Sequence, residues 1–329
     1  MDRPEPGASR AAMLSFAAAA VALALLPAAV HAQEVLDPGT TDQAADASDG
    51  DAPRGTVHLG FQSWHTRGSL DGSGEDQAAR ANLETDSNSL MLGIDYRLGD
   101  RWTLHASIPF VSKRAVNDGG GHNPARLQQP HPESNFLDDG AYHGTWQDWE
   151  LGISYQAWLA GFDVRPRLSL RQPSHDYAFF GSAAPGQRLR SVLLGFDASR
   201  RLGRSNFHYS FGYSYEWVEQ VLDLHPNRQH FRLSGRYDFS PEWSARLDAV
   251  RRKGHGLDPS VFPPEARAGT ELWYQHDRML RHDYTIATIG VSWRFAEPWS
   301  VSAATGRMVG GNSIHHLRSL YLVELSRDF

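Results

Sequence analysis

Cysteine is absent from the 329 residues, which excludes a disulfide scaffold and any thiolate metal site. That lack suits a chain that crosses an oxidising periplasm. Long apolar runs are as scarce. The run from Ala11 to Leu26 is shorter than the ~20 residues a membrane helix needs, and it follows a charged start at Arg3 and Arg10. Small residues then lead to Val30-His31-Ala32, so 1–32 reads as an export signal cleaved before Gln33. Generic catalytic signatures are missing as well: no G-x-S-x-G, no H-E-x-x-H, no P-loop and no dinucleotide fingerprint. These absences point away from a cofactor-dependent enzyme and from nucleic acid as a partner.

Residues 33–55 carry no apolar period. Between Glu34 and Arg54 there are six acids against one base, the composition of a disordered acidic periplasmic tail.

From 56 to 329 the period is two. Leu90, Leu92, Ile94, Tyr96 and Leu98 alternate with polar or small residues. The same phase recurs in Phe162-Val164-Pro166-Leu168-Leu170, Phe231-Leu233-Gly235-Tyr237-Phe239 and Ala287-Ile289-Val291-Trp293-Phe295. About twelve such segments can be counted, each near the ~10 residues a tilted strand needs to cross a bilayer. Their apolar phases contain no Asp, Glu, Lys or Arg through the middle; charge on that phase stands only at the ends, as at Arg190, Arg251, Arg307 and Arg327. A midplane charge facing lipid costs about 2–4 kcal/mol and far less at the interfaces, so this placement is what a membrane wall demands. The expected fold is all-β: a transmembrane antiparallel up-and-down β-barrel of about twelve strands over 56–329.

Connections alternate in length, with short turns at Gly99-Asp100, Ala160-Gly161, 202–204, 240–242 and 296–298, and longer polar loops near 67–87, 114–145, 173–187, 218–227, 253–281 and 310–315. Short turns belong on the periplasmic side and long loops outside. Beside the short turns an aromatic recurs six residues before a tryptophan: Tyr96 and Trp102, Tyr237 and Trp243, Trp293 and Trp299. All six share the outward phase, as one rim of an aromatic girdle should. Tyr321, Val323, Leu325 and the terminal Phe329 share a phase too, the pattern by which a barrel is recognised by its assembly machinery; Arg327 interrupts it.

The run 96–111, YRLGDRWTLHASIPFV, with its Pro109-Phe110 pair, resembles the second hairpin of the outer-membrane proteins grouped as the phenol-degradation MetA-pathway family. Residues 146–155, WQDWELGISY, are similar to the following strand of those proteins, although Gln147 stands where glycine is usual. The resemblance implies an outer-membrane barrel, transporter-like, with no catalytic residues to carry over.

Two candidate chemistries remain. His208 and Ser210 form a His-x-Ser pair, the spacing that sets base and nucleophile on one strand face in some outer-membrane acyl hydrolases. Both fall in the inward phase, near the periplasmic turn, where a lipid hydrolase has no use for them. Histidines at 122, 131, 143, 175, 225, 255, 276, 315 and 316 scatter over loops, and adjacent His315-His316 point to opposite faces, so no metal site is expected. The inward phase is more informative. Arg165, Arg167 and Arg171 line one strand; Arg228, Arg232 and Arg236 another; Arg246 its neighbour. Glu150, Asp197 and Glu216, with Asp95 and Glu324, spread carboxylates around the rest. One reading is a pore for small anionic or polar solutes, embedded in outer-membrane lipid, since rings of charge set selectivity. The other is an interior braced shut by arginine–carboxylate ladders, acting as scaffold or receptor.

Overall fold

A computed structural model describes residues 53–77, 82–116, 137–258 and 270–329. The expected export signal, most of the acidic tail, His122 and His131 lie outside them. Twelve antiparallel strands make one closed sheet. They are β1 (Gly55–Leu70), β2 (Glu84–Leu98), β3 (Trp102–Val116), β4 in three pieces (His143–Trp146, Asp148–Tyr155 and Ala157–Leu159), β5 (Phe162–Pro173) and β6 (Ser191–Arg201). The second half comprises β7 (Phe207–Val218), β8 (Arg228–Asp238), β9 (Trp243–Gly254), β10 (Asp283–Ala296), β11 (Trp299–Asn312) and β12 (Ile314–Asp328). Every strand pairs with its neighbours in sequence, and β1 pairs with β12, Leu59 opposite Leu325, which closes the barrel. Closure runs to the chain end: the Phe329 amide donates to Gly55 at 2.9 Å, and its carbonyl accepts from Arg54 at 2.7 Å. No sheet edge is left to pair with another chain.

The alternation sorts side chains as the pleat requires. On neighbouring strands Leu233, Leu247 and Ile289 are about three-fifths exposed (62%, 61% and 60%), while Ser234, Asp248 and Thr288, one residue along, are buried. Exposed apolar side chains over a whole wall make sense only against lipid. Replacing Leu247 by arginine is therefore expected to cost about 2–4 kcal/mol, read as a lower urea midpoint for the chain folded in lipid vesicles; an unchanged midpoint would contradict a lipid-facing wall.

The aromatic rim lies at the short-turn end. Trp243 and Trp293 stack with ring centroids 5.2 Å apart, and Trp102 meets Tyr155 at 4.7 Å. Tyr96 and Tyr237 are exposed beside them. Arg327, the residue that breaks the terminal apolar phase, lies 5.3 Å over the Trp299 ring, so its charge is carried by a cation–π contact at headgroup level. The turn between β4 and β5 is two residues long, with Ala160 and Gly161 both at positive φ (52° and 82°). That is the type I′ geometry whose twist matches the flanking strands.

The structure departs from the sequence reading at the long-loop end. β1 and β2 run on to Leu70 and from Glu84, so 71–83 is all that connects them. The expected loop at 310–315 shrinks to one residue, Ser313, at φ 56°. Above the bilayer a ladder needs backbone partners and no apolar alternation, so polar stretches such as Thr85 to Ser89 stay paired without showing a membrane pattern. β4 is interrupted at Gln147 and Gln156, whose amides bond outside the regular ladder to Pro109 (2.9 Å) and Arg101 (2.7 Å). Two short helices, α1 (Glu271–Tyr274) and α2 (His276–Met279), occupy the connection from β9 to β10.

Candidate functional site

The lumen is built from the inward phases, and its charged residues fall into two belts. The outer belt centres on Glu216 of β7, which is 1% exposed. It accepts from Ser191 on β6 at 2.7 Å and lies 3.4 Å from Arg171 on β5. Arg228 and His230 on β8 approach it at 3.5 and 3.1 Å. Arg171 also reaches Glu150 on β4 (2.8 Å), which Arg167 holds at 2.6 Å. One network thus ties five consecutive strands, and the buried Asp148 of β4 adds a third carboxylate beside Arg171 and Arg228.

Below it the arginines pair more locally. Arg165 meets Asp163 at 2.9 Å and stands opposite Asp197 in the register. Arg236 meets Asp238, and Arg246 meets Asp248, both at 2.8 Å. Arg232 is half-buried between Gly212 and Val250. These lumen candidates lie on the strand phase opposite the exposed apolar one. They do not form a ring of bare cations; carboxylates interleave with them.

A second belt, on β1 to β4 and β12 near the periplasmic end, was only half legible. Asp95 takes His105 at 2.7 Å and His58 at 3.4 Å; His58 also lies 3.5 Å from Glu324 and 3.1 Å from Ser326. Ser154 bonds the far nitrogen of His105 at 2.8 Å. Asp95 and Glu324 were noted among the inward carboxylates. His58 and His105 share the inward phase of their strands, but they are 47 residues apart and only the β1 to β3 pairing brings them to one carboxylate, so no local motif marks them. A cavity runs between the belts, touching His58, Asp95, His105 and Glu324 at one end and Glu150 and Arg167 at the other.

The outer mouth is capped by the chain itself. Loop 174–190 turns in, since its attachments are to lumen-facing side chains. The Tyr177 hydroxyl donates to Asp148 of β4, and Arg228 of β8 donates to the Gln187 side chain. Lys113 of β3 reaches the Ala184 carbonyl at 2.9 Å, and Gln147 the Pro185 carbonyl at 2.6 Å. Burial pushes the Tyr177 phenol up, so it stays an O–H donor. Over the loop lie α1 and α2, with Phe179 against Tyr274 (4.9 Å) and Phe180 against Trp273 (6.5 Å). Arg278 closes the seam, donating to the carbonyls of Gln187 and Arg188 at 3.1 and 3.0 Å. Phe179 lies between two guanidiniums, Arg188 at 4.8 Å and Arg278 at 4.7 Å.

The other candidate chemistries find no such assembly. His208 sits 3.3 Å from Asp238, and Ser210 is buried in register with Ser199 and Ser234. Of the histidines expected in loops, His143 and His316 lie in strands and meet one carboxylate each, Asp139 (2.9 Å) and Asp76 (3.0 Å). Among the described residues no group of three or more metal-binding side chains converges.

No family model and no curated protein matches the sequence. Solved structures do. An outer membrane channel from Pseudomonas putida F1 superposes with a TM-score of 0.64 at 15% identity, covering 89% of this chain and 100% of that one. This chain has an outer-membrane β-barrel fold. Looser likenesses are the NanC porin (TM-score 0.44, 10% identity, 84% and 100% covered) and the CymD monoaromatic hydrocarbon channel (0.41, 12%, 83% and 88%). At 15% identity the likeness to the Pseudomonas putida channel speaks for the barrel fold.

Proposed function

We propose that the chain is a passive outer-membrane channel for small polar or anionic solutes, delivered to the membrane by export of the 1–32 signal. The observation that carries this reading is the outer belt. Its guanidiniums, on Arg167, Arg171, Arg228 and the buried Arg252 opposite His230, exceed its carboxylates, on Asp148, Glu150 and Glu216. They stand beneath loop 174–190. A low-dielectric wall focuses such an imbalance into a local positive potential, which concentrates anions and repels cations. The cavity below touches both this belt and the histidine belt, at Glu150 and Arg167 and at His58 and His105. Lipid hydrolysis by the His208–Ser210 pair is disfavoured, because the pair lies on the lumen phase and not towards the bilayer.

Proteoliposomes containing the full chain are expected to admit small carboxylates several times faster than amines of similar size. Replacing Arg167 by glutamine should lower that preference at least twofold. Equal entry of both classes, or a preference unmoved by Arg167→Gln, would count against the belt as the selective element. The braced, closed reading has one observation in its favour, the burial of Glu216, and makes the opposite forecast of no entry at all.

A further inference from the structure

The lipid-facing phase carries no charge through mid-wall, yet cations stand at its outer end. Arg251 and Lys253 do so on β9 and Arg307 on β11. Arg251 lies eight residues above Trp243, and Arg307 eight above Trp299. That is roughly 26 Å along a strand, or about 20 Å of height for a wall tilted by ~40°. The apolar band of such barrels is ~25 Å tall, so these side chains reach its outer edge, where headgroups begin.

Among the described residues the cations of this rim on β1 to β3 are neutralised, while Arg190, beside the start of β6, is exposed. On β1 to β3, Asp86 takes both His65 (2.7 Å) and Arg114 (2.8 Å), and Arg67 faces Glu84 at 3.7 Å. On β9 to β11 one carboxylate, Asp283, meets Arg251 at 2.6 Å. Lys253 and Arg307 are exposed and have no partner among the described residues. A surplus of positive charge thus faces the outer leaflet on β9 to β11. Arg307 stands opposite Ala287 and so level with Ala249 of β9, four residues from Lys253; with strands ~4.8 Å apart and ~3.3 Å per residue, the two cations are about 16 Å apart at the backbone, wider than one phosphodiester.

We propose that this rim docks a phosphorylated, acylated glycolipid of the outer leaflet, with its phosphates on Lys253 and Arg307 and its acyl chains against the wall at Leu247 and Ile289. Charge-assisted bonds from ammonium and guanidinium to phosphate supply the recognition. The spacing favours a sugar headgroup with two phosphates over a phospholipid with one.

The test uses the purified full chain in detergent, titrated with bisphosphorylated lipid A, its monophosphoryl form and phosphatidylglycerol, and read by native mass spectrometry. A discrete lipid A adduct is expected, weakened at least tenfold by Lys253→Gln with Arg307→Gln and several-fold by loss of one phosphate. Arg67→Gln with Arg114→Gln should leave it within twofold. A retained heat-dependent gel shift shows that each variant is folded, and the single Lys253→Gln variant stands in should the double not be recovered. Absence of an adduct, equal binding of phosphatidylglycerol, or equal loss in the Arg67 and Arg114 variant would each overturn the proposal.

Discussion

Replacing Tyr177 by phenylalanine together with Gln187 by alanine should raise the mean single-channel conductance at least fivefold. Both residues belong to loop 174–190, and both hold it to the inner wall through charged partners. The Tyr177 hydroxyl donates to the Asp148 carboxylate and accepts from the Arg188 amide at 3.0 Å; the Gln187 side chain takes Arg228 and gives to the Asp277 carbonyl at 2.8 Å. Hydrogen bonds to charged groups are worth about 1.5–3 kcal/mol each. Losing one at each anchor shifts the balance towards an open loop by about 3 kcal/mol or more, roughly a hundredfold in population. Lys113 and Gln147 still hold the loop at Ala184 and Pro185, and the Phe179 and Phe180 cluster still packs on α1. The loop is therefore expected to swing about those contacts and not to unfold. Recordings from the wild-type and double-variant proteins in one bilayer composition decide the matter. Matching conductance would mean that the loop does not set the aperture.

The second large effect concerns Glu216. Its carboxylate is the shared acceptor for groups on β5, β6 and β8. Glutamine in its place keeps the volume and removes the charge, leaving Arg171 and Arg228 with a neutral amide between them. Removing one partner of a buried ionic network is costly, about 3–5 kcal/mol, because the remaining charges stay desolvated. Glu216→Gln is expected to lose about 3 kcal/mol or more on this ground, seen as a lowered temperature for conversion of the folded to the unfolded gel band. Glu219→Gln is the control. That carboxylate is exposed at the rim, 3.8 Å from Arg278, and exposed pairs contribute roughly 0–1 kcal/mol. Equal shifts for both variants would show that the buried network does not brace the wall.

How far these features could be read from the sequence follows from which forces leave a local pattern. Lipid on one side of a strand forbids charge at every second residue, and that is why Leu233, Leu247 and Ile289 announced the wall and the strand number. The aromatic pairs at Tyr96 and Trp102 and their repeats showed where the wall ends. Strand extension above the membrane left no such mark, because Thr85 to Ser89 pair through backbone alone. The inward loop was hidden for another reason. Phe179 and Phe180 meet Trp273 and Tyr274 from a distant part of the chain, and no periodicity connects two loops. A cue was present even so: the stretch 173–187, read as polar, holds Tyr177, Phe179 and Phe180, more aromatic surface than a solvated loop has reason to expose. Phase assigns the arginines to one face of each strand, but phase cannot say which carboxylate each will meet.

Reversal potential in a planar bilayer tests the central claim most directly. With the full chain inserted and a tenfold potassium chloride gradient across the membrane, discrete channel openings should appear, and the zero-current potential should take the sign of chloride permeation. Arg171→Gln should move it towards zero. Openings that favour potassium, or a silent membrane with both the wild type and the Tyr177 and Gln187 double variant, would contradict an anion-favouring channel constricted by its own loop.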